Sequence, residues 1–371
     1  GITNDNTDTI VIITSNTAPI TFDGITIRDG FDSDFLGGDA TAVLIDNALG
    51  GINLTLNNCT ISNNDASITD IIYTIGPSHL ITINNSFITD NQSNNRAILY
   101  AAALTGVTIT NTTIANNASY STMNFEGTDA VSIENCIFEN NFGELNSGIY
   151  IEDGISLIVK NTTVRNNSAG GTGGGVVFAP FNTPSRFENT LFHDNNGTNA
   201  AIYFGNNSNL NQTLDIIGCT ITQNSFASGN SIFVDNLPSP GINPVTINIT
   251  NTLIWDYNNT NGSPNIFSQD PANTVENFNY SLVSGYDLTA NNGLDGTNLA
   301  NDPQFTDPVT NDFTLQPTSP VIDLGDNTAV TQSTDLNGDT RIIDGDNNGT
   351  ATVDFGPFES PMVAISNIMV T

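Results

Sequence analysis

The stretch Leu54-Thr55-Leu56-Asn57-Asn58-Cys59-Thr60-Ile61-Ser62-Asn63-Asn64 reads as two short alternations of apolar and polar residues, with an asparagine pair between them and another at the end. Apolar side chains at every second position mark a strand with one face buried. Asn58 breaks the alternation, and asparagine is one of the few residues that tolerates the left-handed backbone region. The phrase therefore spells strand, sharp bend, strand.

The phrase returns at 81–91, 107–117, 131–141, 157–167, 185–195 and 214–224. Looser copies start at Ile20 and Ile247, and a degenerate one lies at 278–283. The bend residues are Gly24, Asn58, Asn85, Asn111, Asn135, Asn161, Asn189, Gly218 and Asn251, separated by 24 to 34 residues. A period of this size with alternating apolar residues means one solenoid coil per repeat. Two positions before the bend stand Phe22, Leu56, Ile83, Ile109, Ile133, Val159, Phe187, Ile216 and Ile249. Three positions after it stand Ile27, Ile61, Ile88, Ile114, Phe138, Val164, Phe192, Ile221 and Ile254. Both files are unbroken and apolar, so both are expected to face the core. Asn64, Asn91, Asn117, Asn141, Asn167, Asn195 and Asn224 form a second polar file, expected to stack as a ladder.

Turn asparagines, coils of roughly 25 residues and phrases such as Phe22-Asp23-Gly24-Ile25-Thr26-Ile27-Arg28-Asp29-Gly30 resemble the pectin-lyase-like β-helix superfamily. The resemblance spans residues 8 to about 290. It implies an all-β fold: a right-handed, single-stranded parallel β-helix (solenoid) of about ten coils with a C-terminal capping segment.

Each coil carries a third apolar pair, including Ile72-Tyr73, Leu99-Tyr100, Ile149-Tyr150, Val177-Phe178, Ile202-Tyr203, Ile232-Phe233 and Ile266-Phe267, with Phe125 placed in the same register. If the aliphatic member points inward, the aromatic one points out. Tyr73, Tyr100, Phe125, Tyr150, Phe178, Tyr203, Phe233 and Phe267 would then form a stripe able to contact sugar rings or another protein. The other reading lets the alternation slip, so that the rings fill the core.

Cys59, Cys136 and Cys219 fall in one file, immediately after the bend and three coils apart. At about 4.8 Å per coil they stand about 14 Å apart, beyond disulfide reach. They are expected to be small buried residues equivalent to Thr112, Thr162 and Thr190. Two charge files follow from the same stacking: Glu134, Lys160, Glu188 and Glu139, Arg165, His193. Their simplest role is surface ion pairing, worth ~0–1 kcal/mol each. Catalysis by Glu139, Arg165 and His193 is the competing role.

The chain of 371 residues is 37% hydrophobic and only 12% charged, with 38 acidic against 6 basic residues and a net charge of -32. Such a surface repels nucleic acid phosphates and anionic membranes, and attracts divalent cations. No apolar run is long enough to cross a membrane. The opening lacks both an initiator Met and a signal peptide, and reads as part of a larger precursor.

Enzymes of the resembled superfamily act on polysaccharides. Their lyases need a basic residue beside a calcium-binding acidic cluster, and their hydrolases need paired carboxylates across a groove. Here the basic residues are Arg28, Arg96, Lys160, Arg165, Arg186 and Arg341, and the central coils have short loops without a dense Asp cluster. No catalytic residue is assigned. Ice binding would need flat Thr rows, but the file of Thr60, Thr113, Thr163 and Thr220 is interrupted by Phe87, Ile137, Leu191 and Leu253.

The repeat stops near Ala300. The order Asp302-Pro303-Gln304-Phe305, Ser319-Pro320-Val321-Ile322-Asp323, Asp335-Leu336-Asn337-Gly338-Asp339 and Val353-Asp354-Phe355-Gly356 resembles the choice-of-anchor (type Q) end module of bacterial surface proteins. That resemblance implies an extracellular or cell-surface protein with this segment over the open end of the solenoid. The run Asp344-x-Asp346-x-Asn348-Gly349-Thr350 has the oxygen spacing of a calcium loop, with Asp344, Asp346, Asn348, Thr350 and Asp354 as candidate ligands. An Asx-turn hairpin is the alternative.

The expected division is a β-helix over 1–299, a capping module over 300–359, and a linker or intermolecular strand over 360–371. The expected function is a non-catalytic extracellular structural or adhesive surface protein that assembles into a fibre through terminal strands or coil stacking. The alternative is a polysaccharide-binding or polysaccharide-degrading β-helix enzyme. Expected partners are the protein itself or surface glycans and proteins, with no nucleic acid and no direct membrane insertion.

Overall fold

The computed structural model describes residues 2–3, 11–13, 19–32, 40–46, 51–66, 69–76, 78–152, 156–170, 177–179, 184–205, 212–236, 244–256 and 265–360. The expected strand at 363–370 lies outside them. Three parallel sheets enclose one core. The first has ten strands, from Ile20–Asp23 to Thr274–Asn279, and the second has eleven, ending at Leu282–Val283. The third has sixteen, among them Asp70–Ile75 and Ala97–Ala102. Successive coils pair in register: Leu56 with Ile83, Ile83 with Ile109, and Ile109 with Ile133. The chain is an all-β parallel solenoid of about ten coils.

The bend asparagines adopt the conformation their chemistry favours. Asn58, Asn85, Asn111, Asn135, Asn161, Asn189 and Asn251 all have φ between 46° and 54°, and Gly24 and Gly218 take the same region. In the degenerate last copy Tyr280 stands there, at φ 46°. Gly218 is also a close-approach position, since a Cβ there would lie 2.9 Å from the Arg341 guanidinium.

The asparagine file forms a buried ladder. Asn91 Nδ2 donates to Asn117 Oδ1 at 3.0 Å, Asn117 to Asn141 at 2.9 Å, and Asn141 to Asn167 at 3.0 Å. Each Nδ2 also donates to a main-chain carbonyl, as Asn141 does to Ile114, and each Asn backbone N–H donates to the next Oδ1. The main-chain groups of a sharp buried corner are thus satisfied by side chains. The ladder starts at Gly30, whose N–H donates to Asn64 Oδ1, and ends at Asp256, which accepts from the Asn224 N–H.

Cys59, Cys136 and Cys219 are buried and free, within one internal file. The file works as a second ladder of hydroxyl and thiol groups. The Cys59 N–H donates to Ser86 Oγ, the Cys136 N–H to Thr162 Oγ1, and the Cys219 N–H to Thr252 Oγ1. Each group donates in turn to the carbonyl two residues before it, Thr162 to Lys160 and Cys136 to Glu134.

The end of the chain is a clamp more than a lid. Residues 285–296 line the exposed edge of the last coil, where the Leu294 N–H donates to the Ser281 carbonyl and the Tyr280 N–H to Asn291. Gly296 permits this approach, because a Cβ would sit 1.9 Å from the Val283 carbonyl. Residues 302–360 then run along the flank. Phe305, Phe313, Val321 and Phe355 pack over Leu191, Leu253, Trp255 and Leu282, outward residues of the second sheet. Asn251 accepts the Asp326 N–H and donates to its carbonyl. Arg341 is buried and donates to Glu359 and to the Gly356 carbonyl.

The clamp corrects the picture of a uniformly surface-exposed charge file. Glu188 is buried, held by Lys160 at 3.0 Å, by Arg186 and by Thr331 of the clamp. His193 is buried against the Phe313 ring, with Nδ1 2.7 Å from Asp194. Arg165 pairs instead with Glu139, at 2.6 Å.

Candidate functional site

The third sheet carries the aromatic flank. Ile72, Leu99, Met123 and Ile149 pair in one inward file, and Tyr73, Tyr100, Asn124 and Tyr150 in the next, outward one. Tyr203, Phe233 and Phe267 continue that file, and Phe178 pairs with Tyr150 and Tyr203 in the same backbone register. Phe125 does not belong to it. It pairs with Ala101 and Ile151 and is fully buried, so its placement on the flank is corrected. Asn124 takes the flank position in that coil.

The rings stack at the spacing of the coils. Tyr73 and Tyr100 have centroids 5.3 Å apart and planes at 10°, and Tyr203 and Phe233 are 5.1 Å apart at 13°. Phe233 and Phe267 follow at 5.2 Å and 31°. Tyr73, Tyr100, Tyr150 and Phe233 are half-buried and Phe267 is exposed, whereas Tyr203 is buried, so that member of the flank offers little surface. The hydroxyls are anchored too. Tyr100 donates to Glu126 at 2.6 Å and Tyr203 to Asp235. Burial and these carboxylates push both phenols well above their usual range.

A second locus lies where the clamp meets the second sheet. Thr222, Gln223, Trp255, Asp302, Gln304, Phe305, Pro308 and Gln316 line a groove of about 630 Å³. Asp302 is the one carboxylate among these residues, whereas glycoside hydrolysis uses a pair about 5–9.5 Å apart.

The third locus is acidic. One oxygen each from Asp323, Asp344 and Asp346 lies within 4.8 Å of the others. Asp323 stands 21 residues before Asp344, outside the sequence spacing that pointed to the loop. Asn348 is in the turn but its Oδ1 accepts the Thr350 N–H, while its own N–H donates to Asp344 and Asp346. Asp354 is buried, with one oxygen accepting the Asp323 N–H and the other the Ser360 N–H. Burial pushes Asp354 up to about 7.

Two further carboxylates are buried within the coils. Asp70 accepts the Ala97 N–H at 2.7 Å and is pushed up to about 7 by burial. Asp256, at the foot of the asparagine ladder, is pushed up to about 6 for the same reason. Each is bonded to the frame that surrounds it.

The family model described as a right handed beta helix region matches residues 41–226. No curated protein matches the chain. No helix among the described residues is long and apolar enough to cross a membrane.

Proposed function

This chain belongs to the right-handed β-helix family, and on that premise we propose that it is a non-catalytic structural or adhesive protein of a bacterial cell surface, with a choice-of-anchor-like end module. The observation that carries this reading is the in-register ring stack of the third sheet. A long ridge of rings, interrupted at Asn124, suits contact with an extended partner surface better than the enclosure of a small substrate. Because Tyr73 and Tyr100 stack on each other, as do Tyr203, Phe233 and Phe267, these rings favour a protein surface or a second copy over face-on sugar stacking.

Lateral association is favoured over end-to-end stacking. The edge at 280–285 is covered by 285–296. On the neighbouring terminal strand, Glu276 occupies the file that Ile247 fills one coil earlier. An inward-file charge on an edge strand is a common guard against strand addition.

Polysaccharide recognition is the second reading, and the Trp255 groove is what favours it. Its aromatic, amide and hydroxyl lining suits a saccharide, while its single carboxylate suits binding more than cleavage.

The test combines imaging with product analysis. Purified protein is expected to form lateral assemblies or to bind a surface partner, and to release no new sugar ends from neutral or acidic polysaccharides. Tyr73→Ser combined with Tyr150→Ser and Phe233→Ser should abolish the assembly or binding. Sugar-chain cleavage, or assembly unaffected by the three substitutions, would overturn the reading.

A further inference from the structure

Asp323 is only 9% exposed, and its two oxygens differ. Oδ2 accepts the Asp346 N–H at 2.6 Å, whereas Oδ1 is buried with no hydrogen-bond partner. A buried carboxylate oxygen left without a donor is costly, and the two carboxylates that cluster with Asp323, those of Asp344 and Asp346, cannot donate while ionised. We infer that Asp323, Asp344 and Asp346 bind a hard divalent cation of the calcium class, with Asp323 Oδ1 as its buried ligand. Carboxylate oxygens are the donors such a cation takes, with water completing the shell on the exposed side of Asp346.

The site would act as a lock on the clamp. Asp323 belongs to the segment that packs Val321 and Ile322 against the second sheet, and Asp344 and Asp346 shape the turn that follows Arg341. A cation held by all three would reinforce the junction that the Asp346 N–H bond to Asp323 already makes between these two stretches. The inference does not depend on the role of the aromatic flank.

The probe is calcium alone, added to chelator-treated protein, with Tm and titration calorimetry as readouts. Magnesium at matched ionic strength controls for screening of the net charge of -32. Calcium is expected to raise the wild-type Tm by several degrees more than magnesium, and to bind one ion more tightly than any background. Asp323→Asn should weaken that ion at least ~10-fold, because losing a direct ligand costs no less than losing an outer-shell partner. Asp344→Asn, whose side chain is less buried, should do the same and serves if Asp323→Asn fails to fold. Equal responses to the two metals in the wild type, or a calcium response kept by both variants, would overturn the inference.

Discussion

Asn141 Nδ2 donates to Asn167 Oδ1 at 3.0 Å, and the Asn141 backbone N–H donates to the same oxygen at 3.0 Å. One side-chain oxygen thus serves two donors from the coil before it, and the pattern repeats along the ladder. Removing one rung orphans groups on both sides. Asn141→Ala would strip the acceptor from the Asn117 N–H and Nδ2, and the donor from the Ile114 carbonyl. A buried orphan costs about 1–3 kcal/mol, so the loss is expected to be at least ~2 kcal/mol by chemical denaturation. Asn277→Ala, at an exposed bond to Asn248, should cost within ~0.5 kcal/mol.

The pH dependence follows from the buried carboxylates. Asp70 and Asp354 are raised to about 7 and Asp256 to about 6, chiefly by burial, and Glu359 is raised as well. A raised carboxylate holds its proton more tightly when folded. Its contribution is complete below the unfolded value near 4 and is lost as pH climbs through the folded value. His193 opposes this: burial lowers its pKa, so its contribution is lost as pH falls through the folded value, below the unfolded value near 6.5. Four carboxylates and the self-repulsion of an acidic chain outweigh one imidazole. Tm is therefore expected to fall between about pH 5 and pH 8. A Tm that rose across this window would contradict these placements.

The three thiols should be silent in the native state. Burial pushes Cys136 up to about 11 and Cys219 up to about 12, so neither offers thiolate at neutral pH. A thiol reagent is expected to label all three only after unfolding. Cys136→Thr should cost less than ~1 kcal/mol, because Thr112 and Thr162 already fill the same file with the same bonds.

Glu276 offers a gain-of-association test. Glu276→Leu would complete the apolar file that ends at Ile247 and leave the edge of Thr274–Asn279 without its charge. Sedimentation is expected to show concentration-dependent association of the variant under conditions where the wild type shows less. Unchanged behaviour would remove Glu276 as a guard.

Much of the solenoid was legible because its determinants are local. Leu56 and Ile61 flank a left-handed Asn58, and the same three residue types recur in the following coils, so period and direction could be read together. Phe125 was misplaced because aromatic character was aligned in place of register. Asn124, not Phe125, continues the file of Tyr100, and Phe125 falls one position further on, opposite Ala101 and facing inward. The burial of Glu188 and His193 was not legible, since it depends on Thr331 and Phe313, more than a hundred residues away. Asp323 was missed for the same reason: its spacing from Asp344 belongs to no loop pattern. The small residue after each bend was read as filler, although the alternation of Cys, Ser and Thr there signals a shared hydrogen-bonding task.

The central claim is that successive coils lie over one another in register, and cysteine cross-linking measures it directly. In a background with the native cysteines replaced by Thr, Thr82→Cys and Thr108→Cys stand on adjacent rungs of the first sheet, and Ser132 stands one rung beyond. Adjacent rungs are about 4.8 Å apart, inside disulfide reach, and alternate rungs about 9.6 Å, outside it. The pair at 82 and 108 is expected to oxidise readily under native conditions, and a pair at 82 and 132 is not. Failure of the first pair, or equal cross-linking of the second, would contradict the stacked architecture.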